Sequence, residues 1–324
     1  MTRPQPRNPR IHGAVELADP RPATAARMAL EAAMARLLDV GEARVRSGFV
    51  TTGNGVIHHL EAGRGEPVVL LHGAGGGAAN WFRLIGPLAA RWRVLAPDLP
   101  GFGLSDPVPI TTPLGWTGAR YILDWLRTVC DEPVAVIGTS FGGLLALRLA
   151  QLAPERVARV VVIDSVGLGR ELPWPVRLAT IPGIGRLALR PSRSGARALL
   201  RTLLVTDPAR LRDHEDALVE YLWRSAAAGS LTDMVTAVRL FGGLAGQREI
   251  IADPELSDIA QPVLVAWGER DRFIPLRHAL HAAATIPRGR LGIIRGAGHS
   301  PNWEAPDELL ATMEPFLTSP VAEL

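Results

Sequence analysis

The 324-residue chain has a single cysteine and no lysine. A lone cysteine excludes an internal disulfide. Cys130 ends an amphipathic stretch with no histidine nearby, which favours a buried structural thiol over a nucleophile. The basic side chains are arginines scattered among Asp and Glu, and the formal net charge is only +3. Because no dense basic run is present, we expect no nucleic-acid partner.

Long apolar runs are also missing, and none reaches the length of a membrane span. The first residues carry neither an apolar signal core nor a twin-arginine pair. These absences predict a cytoplasmic protein with no membrane span. Hydrophobic residues make up 47% of the chain, enough for a sizeable core.

From about residue 44, short apolar strands alternate with helical segments, which predicts an α/β fold with a mostly parallel sheet flanked by helices. The alternation breaks between 167 and 258, where helical patterns dominate. We interpret that stretch as an inserted helical lid that shapes a pocket at the sheet edge. The predicted division is an N-terminal tail and helix (1–43), a first core part (44–166), the lid (167–258) and a second core part (259–324).

The N-terminal region divides into two parts. Residues 1–22 are rich in proline and arginine and predict a tail, whereas apolar residues within 23–40 recur at helical spacing. We favour a helix docked on the main domain. The alternatives are a contact in a homodimer and an active-site flap.

A lone serine stands between a predicted buried strand and a predicted helix. The stretch Gly138-Thr139-Ser140-Phe141-Gly142 matches G-x-S-x-G, the sharp turn that exposes a nucleophilic hydroxyl. Glycines suit such a turn because a Cβ would clash there. A structural strand–turn–helix with an incidental serine is the alternative.

A serine nucleophile needs a general base and an acid that orients the base. His299 follows the last predicted strand, and Asp271 follows the preceding one. Parallel strands bring both loops to the edge that carries Ser140, in the chain order Ser, Asp, His. Asp164, after an earlier strand, is the rival acid. The other histidines considered are expected to be surface or packing residues: His58, His59, His214, His278 and His281.

Attack on a carbonyl also requires two backbone N–H groups for the oxyanion. We assign Phe141, directly after the serine, and Ala74, in the glycine-rich loop "LHGAGGGAANW". A phosphate cradle is the alternative for that loop, but the lysine of such a motif is lacking. His72 is predicted to brace the loop.

The sequence suggests no cofactor and no metal site. Asp98 and Asp106 have the chemistry of cation ligands, but no further ligand cluster accompanies them. We therefore predict that both carboxylates form hydrogen bonds that brace loops.

Together these motifs resemble the α/β-hydrolase superfamily over roughly residues 45–318. "HGAGGG", "DLPGFGLSD", "GTSFGG", "GERDRFIP" and "GHSPNWEAP" occur in the order of that family. The resemblance implies the fold and the serine triad. Epoxide hydrolases and haloalkane dehalogenases of this fold use Asp at the elbow, so Ser140 argues against both chemistries.

Within the superfamily, "HGAGGGAANW", "GERDRFIPLRHAL" and the Trp of "HSPNWE" resemble the meta-cleavage-product hydrolases, which cut carbon–carbon bonds in vinylogous diketones. The chain departs from them at Gly76, where Pro is usual, and at Arg83, where Asn is typical. That family also has a lid arginine for the substrate carboxylate, and Arg224 is the candidate. The candidate substrate-binding residues are Trp81, Arg83, Arg224 and Trp303.

We therefore predict a cofactor-free serine hydrolase acting on a small-molecule substrate, most simply a carboxylic ester of a small apolar compound. Carbon–carbon hydrolysis on the same triad, acyl transfer and perhydrolysis are alternatives of the same class. A non-catalytic ligand-binding protein on a hydrolase fold is the alternative from another class.

Overall fold

The strand predicted before Ser140 lies inside an eight-stranded sheet in the computed structural model. The structure describes residues 19–324 apart from 110, 182, 186–189, 231–238 and 240. The strands are β1 (Arg46–Thr52), β2 (Gly55–Ala62), β3 (Pro67–Leu71), β4 (Arg93–Pro97), β5 (Val134–Thr139), β6 (Val157–Ile163), the short pair β7 (Gly242–Gly243) and β8 (Gly246–Gln247), β9 (Val263–Gly268) and β10 (Gly289–Ile294).

The large sheet has the strand order β1-β2-β4-β3-β5-β6-β9-β10. β1 and β2 form an antiparallel hairpin, β2 pairs antiparallel with β4, and the remaining pairs are parallel. The mostly parallel α/β fold is confirmed. Because β5, β6 and β9 are parallel, the loops after them emerge at one edge.

Helices cover the sheet and fill the connections. They are α1 (Ala25–Val40), α2 (Ile85–Ala89), α3 (Leu114–Val129), α4 (Phe141–Leu152), α5 (Trp174–Ala179), α6 (Arg193–Leu199), α7 (Glu215–Ser225), α8 (Asp253–Ser257), α9 (Arg277–Thr285), α10 (Pro301–Glu304) and α11 (Pro306–Thr318). Within the described residues, no helix combines the length and apolarity that crossing a bilayer requires.

Apolar side chains of β3 show why the sheet is buried on both faces. Val68 and Leu70 join one apolar cluster, and Val69 and Leu71 join the other. Successive residues of a strand point to opposite faces, so a continuous apolar run feeds two cores at once. Each fully buried side chain of this size contributes about 1.5–3 kcal/mol to folding.

The chain between β6 and β9 contains the stretch 167–258, called the inserted segment from here on. It contains α5 to α8 and the β7–β8 pair. Helical structure dominates there as predicted, and α6 and α7 each continue into a short π-helical turn, Leu200–Leu204 and Ala226–Ser230. Residues 231–238 and 240 of this predicted helical stretch lie outside the described residues. That this segment acts as a lid stays a prediction.

The predicted N-terminal helix is present as α1. The Thr24 hydroxyl caps it by accepting a hydrogen bond from the Arg27 N–H. Its buried face packs mainly against α7 of the inserted segment rather than against the sheet helices. His214, just before α7, has Nε2 3.0 Å from the Val40 carbonyl oxygen at the C-terminal end of α1. We expected α1 to dock on the main domain, but it packs mainly on the inserted segment.

Candidate active site

Ser140 occupies a strained turn between β5 and α4. Its backbone has φ 53° and ψ −116°, in the left-handed half of conformational space that non-glycine residues rarely adopt. A Cβ on Gly138 would lie 2.2 Å from the Gly142 carbonyl oxygen, so glycine is required beside the serine. The Ser140 N–H donates to the Ile163 carbonyl at 2.9 Å, which ties the turn to β6. The local geometry is that of the predicted nucleophile elbow.

The three side chains of the predicted triad lie in one hydrogen-bonded chain. His299 Nε2 is 3.2 Å from Ser140 Oγ, and His299 Nδ1 is 2.9 Å from Asp271 Oδ2. A neutral imidazole with its proton on Nδ1 donates to the carboxylate and accepts from the serine hydroxyl. This arrangement allows His299 to remove the hydroxyl proton as Oγ attacks.

Asp271 is held rigidly in a buried position. Its Oδ1 accepts the N–H groups of Phe273 at 2.6 Å and Ile274 at 3.0 Å, and its side chain is 0% exposed. The Phe273 ring lies 4.7 Å from the His299 ring, centroid to centroid. The loop after β9 therefore fixes both the carboxylate and one side of the imidazole.

The two predicted oxyanion donors lie beside the serine. Phe141 is the first residue of α4, where a helix leaves its N–H without an intrahelical partner. A Cβ on Gly73 would lie 3.2 Å from Ser140 Cβ, so the glycine-rich loop passes directly next to the serine. Ala74 follows Gly73 and is exposed. The oxyanion role of both N–H groups stays a prediction.

Asp164, the rival acid, also lies next to the triad. It is fully buried, its backbone has φ 46°, and its Oδ1 accepts the Gly268 N–H at 2.9 Å. Burial, followed by the adjacent Asp271 carboxylate, raises the pKa of Asp164 well above its usual value. Asp271, not Asp164, accepts the hydrogen bond of His299 Nδ1, and Asp271 is the acid that the sequence favoured.

These carboxyls and His299 are residue types that can bind a metal, and one polar atom from each lies within 4.8 Å of the others. The Nδ1–H of His299 already points to Asp271, however, so Nδ1 has no lone pair left for a cation. That the protein has no metal site stays a prediction.

Two of the predicted substrate-binding residues are tryptophans with buried side chains. Trp81 is 0% exposed and Trp303 is 5% exposed. The Trp303 Nε1–H donates to the Asn80 carbonyl at 2.8 Å, so it joins helix α10, just after His299, to the glycine-rich loop. These contacts are structural, and a role in binding substrate stays a prediction for both.

The two arginines proposed for substrate binding are also engaged. Arg83 NH1 donates to the backbone carbonyls of Trp303 and, at 3.4 Å, Arg210. Arg224 pairs with Glu220 at 2.8 Å and lies over the Trp223 ring. A role of either arginine in binding substrate stays a prediction, since each guanidinium keeps N–H groups that these contacts do not use.

Glu304 lies next to the triad loop, and its position there was not predicted from the sequence. It is buried, and its carboxylate accepts N–H groups from Gly298, next to His299, and from Thr206 and Asp207 of the inserted segment. Burial raises the pKa of Glu304, while these hydrogen bonds act to lower it. An acidic residue in the run "HSPNWE" was the only available signal.

Asp98 and Asp106 brace loops, as predicted. Asp98 accepts from the Ala78 and Leu104 N–H groups at 2.6 and 2.7 Å, and Asp106 accepts from the Val56 N–H at 2.9 Å. Buried His72 accepts the Leu99 N–H at Nε2, 2.8 Å away, so it braces the same region.

Asp98 also completes a second Ser–His–Asp chain. Ser47 Oγ is 2.8 Å from His58 Nε2, and His58 Nδ1 is 2.7 Å from Asp98 Oδ2. Ser47 lies within strand β1, however, not on a strand-to-helix turn with N–H groups aimed at its hydroxyl. The second chain therefore provides an internal control for the first.

Cys130 is buried, as predicted for a structural thiol. Burial, together with a hydrogen bond to Glu132, raises the pKa of the thiol to about 11. Such a thiol is almost entirely protonated near neutral pH and is a poor nucleophile.

Comparison with known proteins agrees with the geometry. Residues 66–306 match the family model of the alpha/beta hydrolase fold. The chain belongs to the α/β-hydrolase family. It is also 32% identical over 257 residues to 2-hydroxy-6-oxo-6-phenylhexa-2,4-dienoate hydrolase from Burkholderia cepacia, covering 78% of this chain and 87% of the relative.

Two solved structures are similar as well. One is 2-hydroxy-6-oxo-6-phenylhexa-2,4-dienoate hydrolase from Rhodococcus sp. strain RHA1. Its structure matches with a TM-score of 0.73 and 28% identity, covering 85% of this chain and 99% of the other. Naproxen esterase from Bacillus subtilis has a TM-score of 0.76 and 22% identity, covering 92% and 100%. At that identity the esterase supports the fold alone.

Proposed function

We propose that this α/β-hydrolase is a cofactor-free serine hydrolase that cleaves carboxylic esters of small, apolar compounds. The observation that carries the proposal is the continuous chain Ser140–His299–Asp271 at a strained elbow. A serine that merely capped a helix would need neither the buried carboxylate nor the imidazole aligned between them.

The reaction follows from these positions. Ser140 Oγ attacks the ester carbonyl while its proton passes to His299 Nε2, and the oxyanion accepts the N–H groups of Phe141 and Ala74. The C–O bond then breaks, and the alcohol leaves with the proton from His299. Water attacks the acyl-serine with His299 as the base, which releases the acid and restores the hydroxyl. Asp271 keeps His299 in the required tautomer throughout.

The contacts of Arg224 and Arg83, the two predicted arginine contacts for substrate, support an uncharged substrate. Arg197 and Arg201 pair with Glu215 at the start of α7, and Arg193 and Arg224 pair with Glu220 within it. Arg83 contacts backbone carbonyls. A substrate carboxylate removed from water needs a cationic partner, and Arg83 and Arg224 would have to share their N–H groups between it and the partners they already contact.

Carbon–carbon bond hydrolysis is the second candidate. It is favoured by the 32% identity to the Burkholderia hydrolase of 2-hydroxy-6-oxo-6-phenylhexa-2,4-dienoate. The same nucleophile and base would serve that reaction, so the substrate has to be decided by experiment.

One experiment decides between ester hydrolysis and carbon–carbon bond hydrolysis. It measures turnover of p-nitrophenyl esters of increasing acyl length and of 2-hydroxy-6-oxo-6-phenylhexa-2,4-dienoate. We expect ester turnover with a chain-length optimum and a loss of about 10⁴-fold or more in Ser140→Ala. Ser47→Ala is the matched control, because Ser47 contacts His58, which in turn contacts Asp98, and this variant should retain wild-type rates.

A fluorophosphonate probe completes the test. Labelling that is lost in Ser140→Ala and kept in Ser47→Ala supports a reactive Ser140. Serine-dependent turnover of the dienoate alone would select carbon–carbon hydrolysis. Absence of both turnover and labelling would contradict the enzymatic proposal and favour a ligand-binding protein.

A further inference from the structure

Asp164 is a buried carboxyl for which the serine mechanism above has no use. It follows β6 directly, is 0% exposed, and adopts a left-handed backbone at φ 46°. Its N–H donates to the Ala266 carbonyl, and its Oδ1 accepts the Gly268 N–H. A strained residue that is held this firmly from both sides has a fixed side-chain direction.

The hydrogen bonding of Asp164 is incomplete as an ionised carboxylate. Among the described residues, no N–H or O–H donor reaches its buried Oδ2. One oxygen of its carboxyl instead lies within 4.8 Å of a carboxylate oxygen of Asp271, and the negative charges of Asp271 and Glu304 both act to raise its pKa. Two carboxylates can hydrogen bond only if one of them carries a proton.

Asp271 is the member of the pair that must stay ionised. It already accepts the N–H groups of Phe273 and Ile274 and the Nδ1–H of His299. Asp164 accepts a single N–H, from Gly268. More donors stabilise a carboxylate more strongly, so the shared proton belongs on Asp164.

We propose that Asp164 is a positioning residue of the triad, whose carboxylic acid donates a hydrogen bond to the Asp271 carboxylate and fixes the orientation in which that group holds His299. The inference rests on the serine-hydrolase function proposed above. Asp164 touches no reacting atom and acts through Asp271.

The test compares two substitutions at one position. Asp164→Ala removes the donor, and kcat should fall about 10- to 100-fold, the range for losing a hydrogen bond to a charged group, with KM within about threefold. Asp164→Asn should rescue most of that loss, because its amide can accept from Gly268 and donate to Asp271. Asparagine also tolerates the left-handed backbone. Failure of Asn to rescue would overturn the inference.

The pH profile of kcat/KM separates a neutral from a charged Asp164. If Asp164 is neutral, Asp164→Asn should leave the midpoint of the acid limb within about 0.3 pH units of wild type. If it is ionised, removing its charge beside His299 should move that limb to lower pH by about one unit, which would overturn the inference. This readout does not depend on Asp164→Ala folding.

A third variant, Asp271→Asn, shows which of the two acids contributes more to kcat. It should lose about 10⁴-fold in kcat, far more than Asp164→Asn. The reverse ranking would make Asp164 the triad acid and overturn the proposal. Wild-type turnover that depends on Ser140 is the separate test of the function itself, so the two proposals fail in distinguishable ways.

Discussion

A Cβ atom on Gly142 would lie 2.1 Å from the carbonyl oxygen of Leu71, the last residue of β3. Helix α4 therefore begins in direct contact with the end of a central strand. This close approach sets Ser140 at the carboxyl edge of the sheet, where the loops after β6, β9 and β10 also end. One glycine thus links strand packing to the position of the nucleophile.

Gly142→Ala should destabilise the fold and disturb the elbow. Because the clashing atom is backbone, it cannot rotate away, and we expect a loss of about 1–3 kcal/mol in the free energy of unfolding together with lower kcat. Gly86→Ala is the matched control, since a Cβ there would meet nothing within 4 Å. Urea unfolding of both variants measures the difference, and equal losses would contradict the explanation.

Arg83→Met tests whether this arginine is structural. The variant loses the NH1 hydrogen bonds to the carbonyls of Trp303 and Arg210, so its free energy of unfolding should fall by about 1–3 kcal/mol. Its preference between neutral and anionic esters should not change. Arg91→Met, at an exposed pair with Glu314, should cost less than about 1 kcal/mol. A selective rise in KM for the anionic ester in Arg83→Met would instead assign Arg83 to substrate binding.

The triad positions could be predicted because each depends on a local pattern. Ser140, Asp271 and His299 each follow an apolar strand, and parallel strands end at one edge. A parallel sheet was therefore the only further assumption needed to predict that the three residues meet. The structure brings their side chains together.

Contacts between distant segments could not be predicted in the same way. Glu304 joins the inserted segment to the loop of His299, and the sequence shows only an acidic residue near a histidine. The docking of α1 on α7 depends on which apolar faces meet, and periodicity marks a face without naming its partner. The Asp164–Asp271 contact is of the same kind.

The packing of α1 gives a further prediction. Leu37 is 0% exposed within the cluster that joins α1 to the inserted segment, so Leu37→Ala should cost about 2–5 kcal/mol of unfolding free energy. Met28 lies on the same helix but is 58% exposed, and Met28→Ala should change stability by less than about 0.5 kcal/mol. Similar effects of both would mean that α1 does not pack as described.

Asp164 makes the stability of the protein depend on pH in a definite direction. Its pKa in the folded state lies well above the ordinary value of 3.8, so between the two the folded state holds a proton that the unfolded state has lost. The contribution is therefore full below the ordinary pKa and is lost as pH rises towards the raised one, by about 1.4 kcal/mol per pH unit. Asp164→Asn cannot titrate, so the difference between its unfolding free energy and that of wild type should shift in favour of the variant as pH rises above the ordinary pKa of 3.8 towards the raised one. Urea unfolding across this range measures the gap, with exposed Asp213→Asn as the control. A gap that stays constant with pH would contradict a protonated Asp164.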